Sequence, residues 1–263
     1  MGIVLGLDRF AAHFAGYQDR YALIGGAAIW LVLDEAGMVP RATKDLDIVL
    51  CVEALDPAFV RVFWEFIRTG GYEIQEKSKE TKIFYRFQRP TQPDYPAILE
   101  LFLRKPDAMV LGDESHLTPI SVGESVSSLS AILLDERYYE LLHRHTRDIE
   151  GISIVSEEGL IPLKARAWLD LTARKIAGET IDSKDITKHK NDVLRLYQLL
   201  NPDLRVELPD TVRKDLLAFL RAITPDLQTS LLKQLGIVGV HPSEVLQTLR
   251  MVYRITEGGE TDV

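Results

Sequence analysis

Asp45 and Asp47 stand one residue apart in the segment RATKDLDIVL, where an apolar, β-branched run begins. Successive side chains of a strand alternate faces, so both carboxylates point to one side and Leu46 to the other. Two carboxylates held side by side repel unless a cation lies between them. A hard, oxygen-liganded divalent ion, Mg2+ above all or Mn2+, is the natural partner. A pair of solvated acids at a strand end is the alternative. Glu100 bears on that choice: in AILELFL it is the one acid of an otherwise apolar strand, where an unpaired buried carboxylate is expensive. If the two strands are neighbours, Asp45, Asp47 and Glu100 converge in the layout that two divalent ions use in phosphoryl transfer. Upstream, the stretch LIGGAAIWLVL sets Gly25 and Gly26 ahead of an apolar run. A tight turn between strand and helix is one reading of the pair. The other is a backbone left bare so that phosphates reach the amides at a helix N-terminus.

These residues need a sheet and helices to hold them. Helical spacing is expected over 5–18, 27–36 and 57–68, the last two closed by glycines. Strands are expected at 21–24, 46–52, 72–76, 82–88 and 97–103, with further short strands near 117–122, 125–133 and 152–155. From Ser156 the pattern changes. SEEGLIPLKARAWLDLTARKIAG opens with a Ser cap and an acidic first turn, then keeps helical spacing to Gly178. DSKDITKHKNDVLRLYQLLN reads as a second long helix, and the chain continues as helices punctuated by prolines to about residue 257. The expected fold class is therefore α+β: a mixed sheet flanked by helices over 1–155, then a helical domain over 156–263.

The order strand, Gly25-Gly26, helix, Asp45-x-Asp47, then Glu100 on a later strand resembles the nucleotidyltransferase superfamily, the fold of DNA polymerase β. The resemblance implies that the glycine pair opens a helix whose amides hold the incoming triphosphate, and that the three acids bind the metals. The family more often has Gly-Ser at the first pair and Asp at the third acid. The helical half narrows the resemblance to the AbiEii-type nucleotidyltransferase toxins and their relatives, which carry an R-x-T/S-x-D-x-D element, a lysine on the first helix after the sheet and a K/R-x-x-D-type element on the next. Arg41 and Thr43 match the first element, Lys164 the second, and Asp192, preceded by Lys188 and Lys190, the third. In this resemblance Lys164 offers its ammonium to the triphosphate, and Asp192 orients that lysine or acts as a base; Asp185 is a rival for the role. The implied activity is transfer of a nucleoside monophosphate from an NTP to an RNA such as tRNA, a protein or a small molecule. A toxin role implies an antitoxin partner. A nucleotide-binding or interaction protein that keeps the fold without catalysis is the alternative.

Composition sets the remaining bounds. The 263 residues, 46% hydrophobic and 27% charged, are those of a globular chain long enough for a sizeable core. Net charge −8 gives no support to non-specific adhesion to nucleic acid. No apolar run is long enough to cross a bilayer, no secretory signal is read at the start, and the lone Cys51 fits a reducing cytoplasm as a small core filler. Several residues have ordinary readings. A helical lysine such as Lys164 commonly snorkels at the surface. KDITKHKND reads as a solvated mixed-charge face, with His189 either exposed or functional. His143 and His145 in LLHRHTRD have no Cys or third His at ligand spacing and read as a polar helix end. YRFQR, over 85–89, interleaves aromatics with arginines, a nucleic-acid signature or simple strand alternation.

Overall fold

Alternation of apolar and polar residues sorts the first half of the chain into the two faces of one sheet. The computed structural model describes residues 4–51, 57–74, 84–102 and 135–256. The first of its two compact units, Met1–Ser156, contains α1 (Leu7–His13), β1 (Tyr21–Ile24), α2 (Gly25–Glu35), β2 (Asp45–Leu50), α3 (Pro57–Gly70), β3 (Glu73–Ile74), β4 (Phe84–Gln88), β5 (Ile98–Phe102), α4 (Glu136–Arg144), β6 (Thr146–Ile149) and β7 (Ile152–Val155). The strands form one mixed sheet in the order β3-β4-β5-β2-β1-β7-β6. β2 runs antiparallel to β1 and parallel to β5, and β1 runs parallel to β7. The protein is thus α+β. The unit boundary falls after Ser156, beside the expected break after 155. The expected helix over 5–18 is shorter, because Gly16 at φ 86° and the turn before it end α1 at His13. The strands expected at 117–122 and 125–133 lie outside the described residues.

Phe87, Leu99, Leu46 and Ile48 are fully buried and share the apolar face. An aromatic cluster joins this face to α1 and α3. Phe63 and Trp64 of α3 meet the Phe87 ring at 5.7 and 5.8 Å, and Phe66 packs on Phe10 at 5.8 Å and on Tyr95 at 4.7 Å. Edge-to-face contacts of this kind add to the large area each ring buries. The opposite face carries half-buried Asp45, Asp47 and Glu100, so the sheet can present acids only because α1 and α3 cover its other side.

The second unit, Glu157–Val263, is helical among its described residues: α5 (Glu157–Ile176), α6 (Ser183–Tyr197), α7 (Asp210–Ile223), α8 (Thr229–Gln234) and α9 (Pro242–Val252), with one short 3-10 turn at Thr224–Asp226. α5 packs on α6 and α7, and Trp168 meets Phe219 edge-on at 5.4 Å. Pro162 lies inside α5. Proline has no N–H for the carbonyl four residues earlier, here that of Glu158. The Tyr253 hydroxyl donates to this same carbonyl at 3.0 Å, from a fully buried ring. Burial, with Glu158 and Glu157 nearby, pushes the Tyr253 hydroxyl well above the ordinary tyrosine range, so it stays a donor. We expect Tyr253→Phe to cost about 1–2 kcal/mol by depriving a half-buried carbonyl of that donor. In a Pro162→Ala background the new alanine N–H can serve Glu158, so the same substitution should cost less by at least about 0.5 kcal/mol. Urea denaturation of the four members of the cycle measures the difference, and equal costs in both backgrounds would refute the link.

Candidate functional site

The register of three strands decides which side chains share the polar face. Asp47 on β2 lies opposite Glu100 on β5, and Glu100 lies opposite Arg86 on β4. One step along, Asp45 lies opposite Ile98, and Ile98 opposite Gln88. Side chains paired across strands point to the same face, so the rows Arg86–Glu100–Asp47 and Gln88–Ile98–Asp45 lie side by side. The three expected acids therefore lie on one face of adjacent strands.

The start of α2 joins this face. Ile24 pairs with Asp47, and the chain enters α2 from that point with no side-chain cap. Gly25 has φ 68°, a conformation that costs a side-chain-bearing residue roughly 1–2 kcal/mol. A Cβ on Gly25 would overlap Asp47 Oδ2, and one on Gly26 would stand 2.8 Å from Thr43 Oγ1 and 3.4 Å from Arg41 Nη2. The glycine pair makes the tight turn from strand to helix that is one of its two readings in the sequence, and it also admits the side chains of Asp47, Thr43 and Arg41 to the helix start. A carboxylate is favourable there, because the first N–H groups of a helix carry partial positive charge. The structure brings together Gly25, Gly26, Arg41, Thr43 and Asp47 at this corner.

The Asp45 Oδ1 atom is buried and makes no hydrogen bond among the described residues. An orphaned carboxylate oxygen with a second carboxylate on the same face fits a hard divalent cation, and Asp45 and Asp47 are the residues that would hold it. Glu100 has a different neighbour: its Oε1 lies 3.4 Å from Arg86 Nε, with side chains 12% and 19% exposed. Among the described residues no group of three or more His, Cys, Asp or Glu is arranged to hold a metal ion as the side chains stand. Arg86 was missed as a site residue; alternation from Phe87 in YRFQR would have put it on the polar face, but only the register sets it against Glu100. A cavity of about 430 Å³ opens at the same strand ends, bordered by Lys44, Gln88, Arg89, Gln92, Tyr95 and Ile98.

In the second unit, Lys164 of α5 and Asp192 of α6 face each other, Nζ to Oδ2 3.8 Å, with side chains 2% and 0% exposed. Arg195 Nη1 stands 3.9 Å from the other oxygen of Asp192. Lys164 is therefore no snorkelling surface lysine. Asp192 lies on the buried stripe of α6 with His189, Val193 and Leu196 at helical spacing, so His189 is not part of a solvated face either. The rival Asp185 is exposed in the first turn of α6, where an acid suits the helix N-terminus. Cys51 is buried as expected of a core filler, yet its Sγ lies 3.8 Å from His143 Nδ1, and His143 packs on Tyr139 at 4.2 Å between ring centroids. His143 lies in the last turn of α4, the polar helix end expected from the sequence.

Removing one member of a buried ion pair strands the other charge, so Lys164→Met should destabilise by about 3–5 kcal/mol. Lys164→Met combined with Asp192→Leu should recover most of that loss, as calorimetric melting of both variants would reveal. Gly25→Ala must both strain φ and displace the Asp47 carboxylate, so it should cost at least about 2 kcal/mol, with a smaller loss for Gly26→Ala. Equal losses for the two alanines in urea denaturation would contradict the packing described. Comparison with protein-family models and with curated proteins finds no match to this chain.

Proposed function

We propose that the polar face of the first unit transfers a nucleoside monophosphate from an NTP to an acceptor. The observation that carries this reading is the pair Asp45–Asp47 on one face of β2, in register with Glu100 and capped by the glycine-opened start of α2. An acceptor hydroxyl gives up its proton to solvent as its oxygen attacks the α-phosphorus, the bond from that phosphorus to the bridging oxygen breaks, and pyrophosphate leaves with the electron pair. A divalent cation bound at the face would neutralise charge on the phosphates and lower the barrier to this in-line displacement. Asp45 and Asp47, two residues apart on one face of β2, would hold that cation. The guanidinium of Arg41 and the hydroxyl of Thr43, at the start of α2, supply positive charge and a donor beside the carboxylates. The cavity beside Gln88 and Ile98 is of a size to take part of a nucleotide or of an acceptor.

The acceptor classes are an RNA such as tRNA, a protein or a small molecule, and the toxin and antitoxin reading rests on the family resemblance alone. The Arg86–Glu100 contact favours a second reading, in which the face binds nucleotide without catalysis. One experiment separates the two. Each α-labelled NTP is incubated with Mg2+ and the full chain, with bulk tRNA or the protein itself as acceptor. Transfer of label that falls at least about a hundredfold in Asp47→Asn supports the first reading. Metal-dependent NTP binding with no pyrophosphate released supports the second, and absence of both transfer and binding overturns each. Among the described residues no helix is long and apolar enough to cross a membrane.

A further inference from the structure

Two sides of α9 differ in character. Val245, Leu249 and Val252 are withdrawn from solvent and anchor the helix in the second unit. On another side, Leu246, Gln247, Arg250 and Met251 recur at helical spacing. Together with Arg254 and Ile255, just past the helix end, they border a cavity of about 560 Å³ that follows α9 for about three turns. Its floor is apolar: Leu246 and Ile255 are buried there, and Met251 is 39% exposed. The unbranched, polarisable side chain of methionine adapts to differently shaped occupants, which is why it recurs on surfaces that receive peptides.

The chain has a net charge of −8, yet two arginines and no acid are among the described residues that line this cavity. Arg254 pairs with Glu207, which Arg213 also approaches at 3.9 Å, so one carboxylate serves two guanidinium groups. The helix dipole accounts for Arg250 in the last turn of α9, but not for the apolar floor beside it. A concave apolar strip with a basic rim suits the apolar face and acids of an amphipathic helix better than it suits a flat lipid surface. A second copy would bring the same two arginines, and like charges in so small a contact oppose self-pairing. We propose that this side of α9 docks a short amphipathic helix of a partner protein, with acids beside its apolar stripe. Acids are favoured in the first turn of a helix, and the arginines stand at the C-terminal end of α9. The partner helix therefore lies antiparallel to α9, its first-turn acids over Arg250 and Arg254 and its apolar residues on Leu246, Met251 and Ile255. Three turns of helix bury less than about 1,200 Å², the size class of transient contacts. Docking here requires nothing of the chemistry on the sheet.

The probe is a fluorescein-labelled amphipathic peptide of about 14 residues with Leu at helical spacing and Glu in its first turn; a matched peptide has Lys in place of each Glu. Fluorescence anisotropy with the full chain should show the Glu peptide bound at least about tenfold more tightly than the Lys peptide, and less tightly as salt rises. Arg250→Glu combined with Arg254→Glu should reverse the preference, which non-specific adhesion of either peptide would not do. Met251→Gln removes apolar contact without changing charge and should weaken the Glu peptide about fivefold. Circular dichroism establishes that each variant is folded; if the double variant unfolds, Arg254→Gln replaces it and should reduce the preference. Equal binding of the two peptides to wild type, or a preference that these substitutions leave unchanged, overturns the proposal. Three other outcomes overturn it by naming a different occupant. Sedimentation with phosphatidylserine vesicles that the arginine variants abolish, without peptide binding, gives the face to a lipid surface. A dimer in sedimentation velocity that Met251→Gln dissociates gives it to a second copy. Binding of the Glu peptide only after Glu257→Gln, Glu260→Gln and Asp262→Asn gives it to the chain's own acidic residues.

Discussion

The register between β2 and β5 is the constraint on which the candidate site depends. Side chains of a strand repeat every two residues, so a slip of one residue would send Glu100 to the apolar face and Leu99 to the polar one. Leu46, Ile48, Leu99 and Leu101 are all buried, and together they hold the pairing in which Asp47 meets Glu100. The acids are thus aligned by the apolar residues between them. Their mutual repulsion opposes this arrangement, and burial of the opposite face under α1 and α3 sustains it.

Charge is handled differently in the two units. On the sheet, carboxylates are half-buried, and the Arg86 guanidinium stands beside the most apolar-flanked of them. In the helical unit, Lys164 and Asp192 are withdrawn from water altogether, with Arg195 at the second oxygen. Such a pair adds little net stability over apolar residues of the same volume, since desolvation offsets attraction. Its strict requirement is that both charges be present. Pro162 creates a smaller problem of the same kind, a half-buried carbonyl that the helix cannot supply with its own N–H, and Tyr253 solves it.

Much of this was legible in the chain itself. The spacing of Asp45 and Asp47 implied a shared face, the lone acid in AILELFL implied a special environment, and the change of pattern at Ser156 marked where the helical unit begins. Other readings changed. The glycine pair makes the expected turn, and what the sequence did not show is that Asp47, Thr43 and Arg41 pack against it, because close approach to a bare backbone can be made by a neighbouring strand as well as by a ligand. For His189 and Lys164 the sequence leaves a surface position open beside a functional one, since their immediate neighbours include many charges, and only the packing of α5 on α6 shows that both are buried.

By itself, the sequence determined what is local: which residues alternate across a strand, which form the stripe of a helix, and where a glycine permits a turn. These follow from backbone geometry within a few residues. The tertiary structure alone decided who stands beside whom: Glu100 opposite Asp47 across 53 positions, Arg86 against Glu100, Lys164 against Asp192, and Tyr253 at the Glu158 carbonyl. Such partnerships depend on strand pairing and helix packing between distant segments, and those are settled by burial of the whole core. The acids were visible as residues; their neighbours, and so their chemistry, came only with the fold.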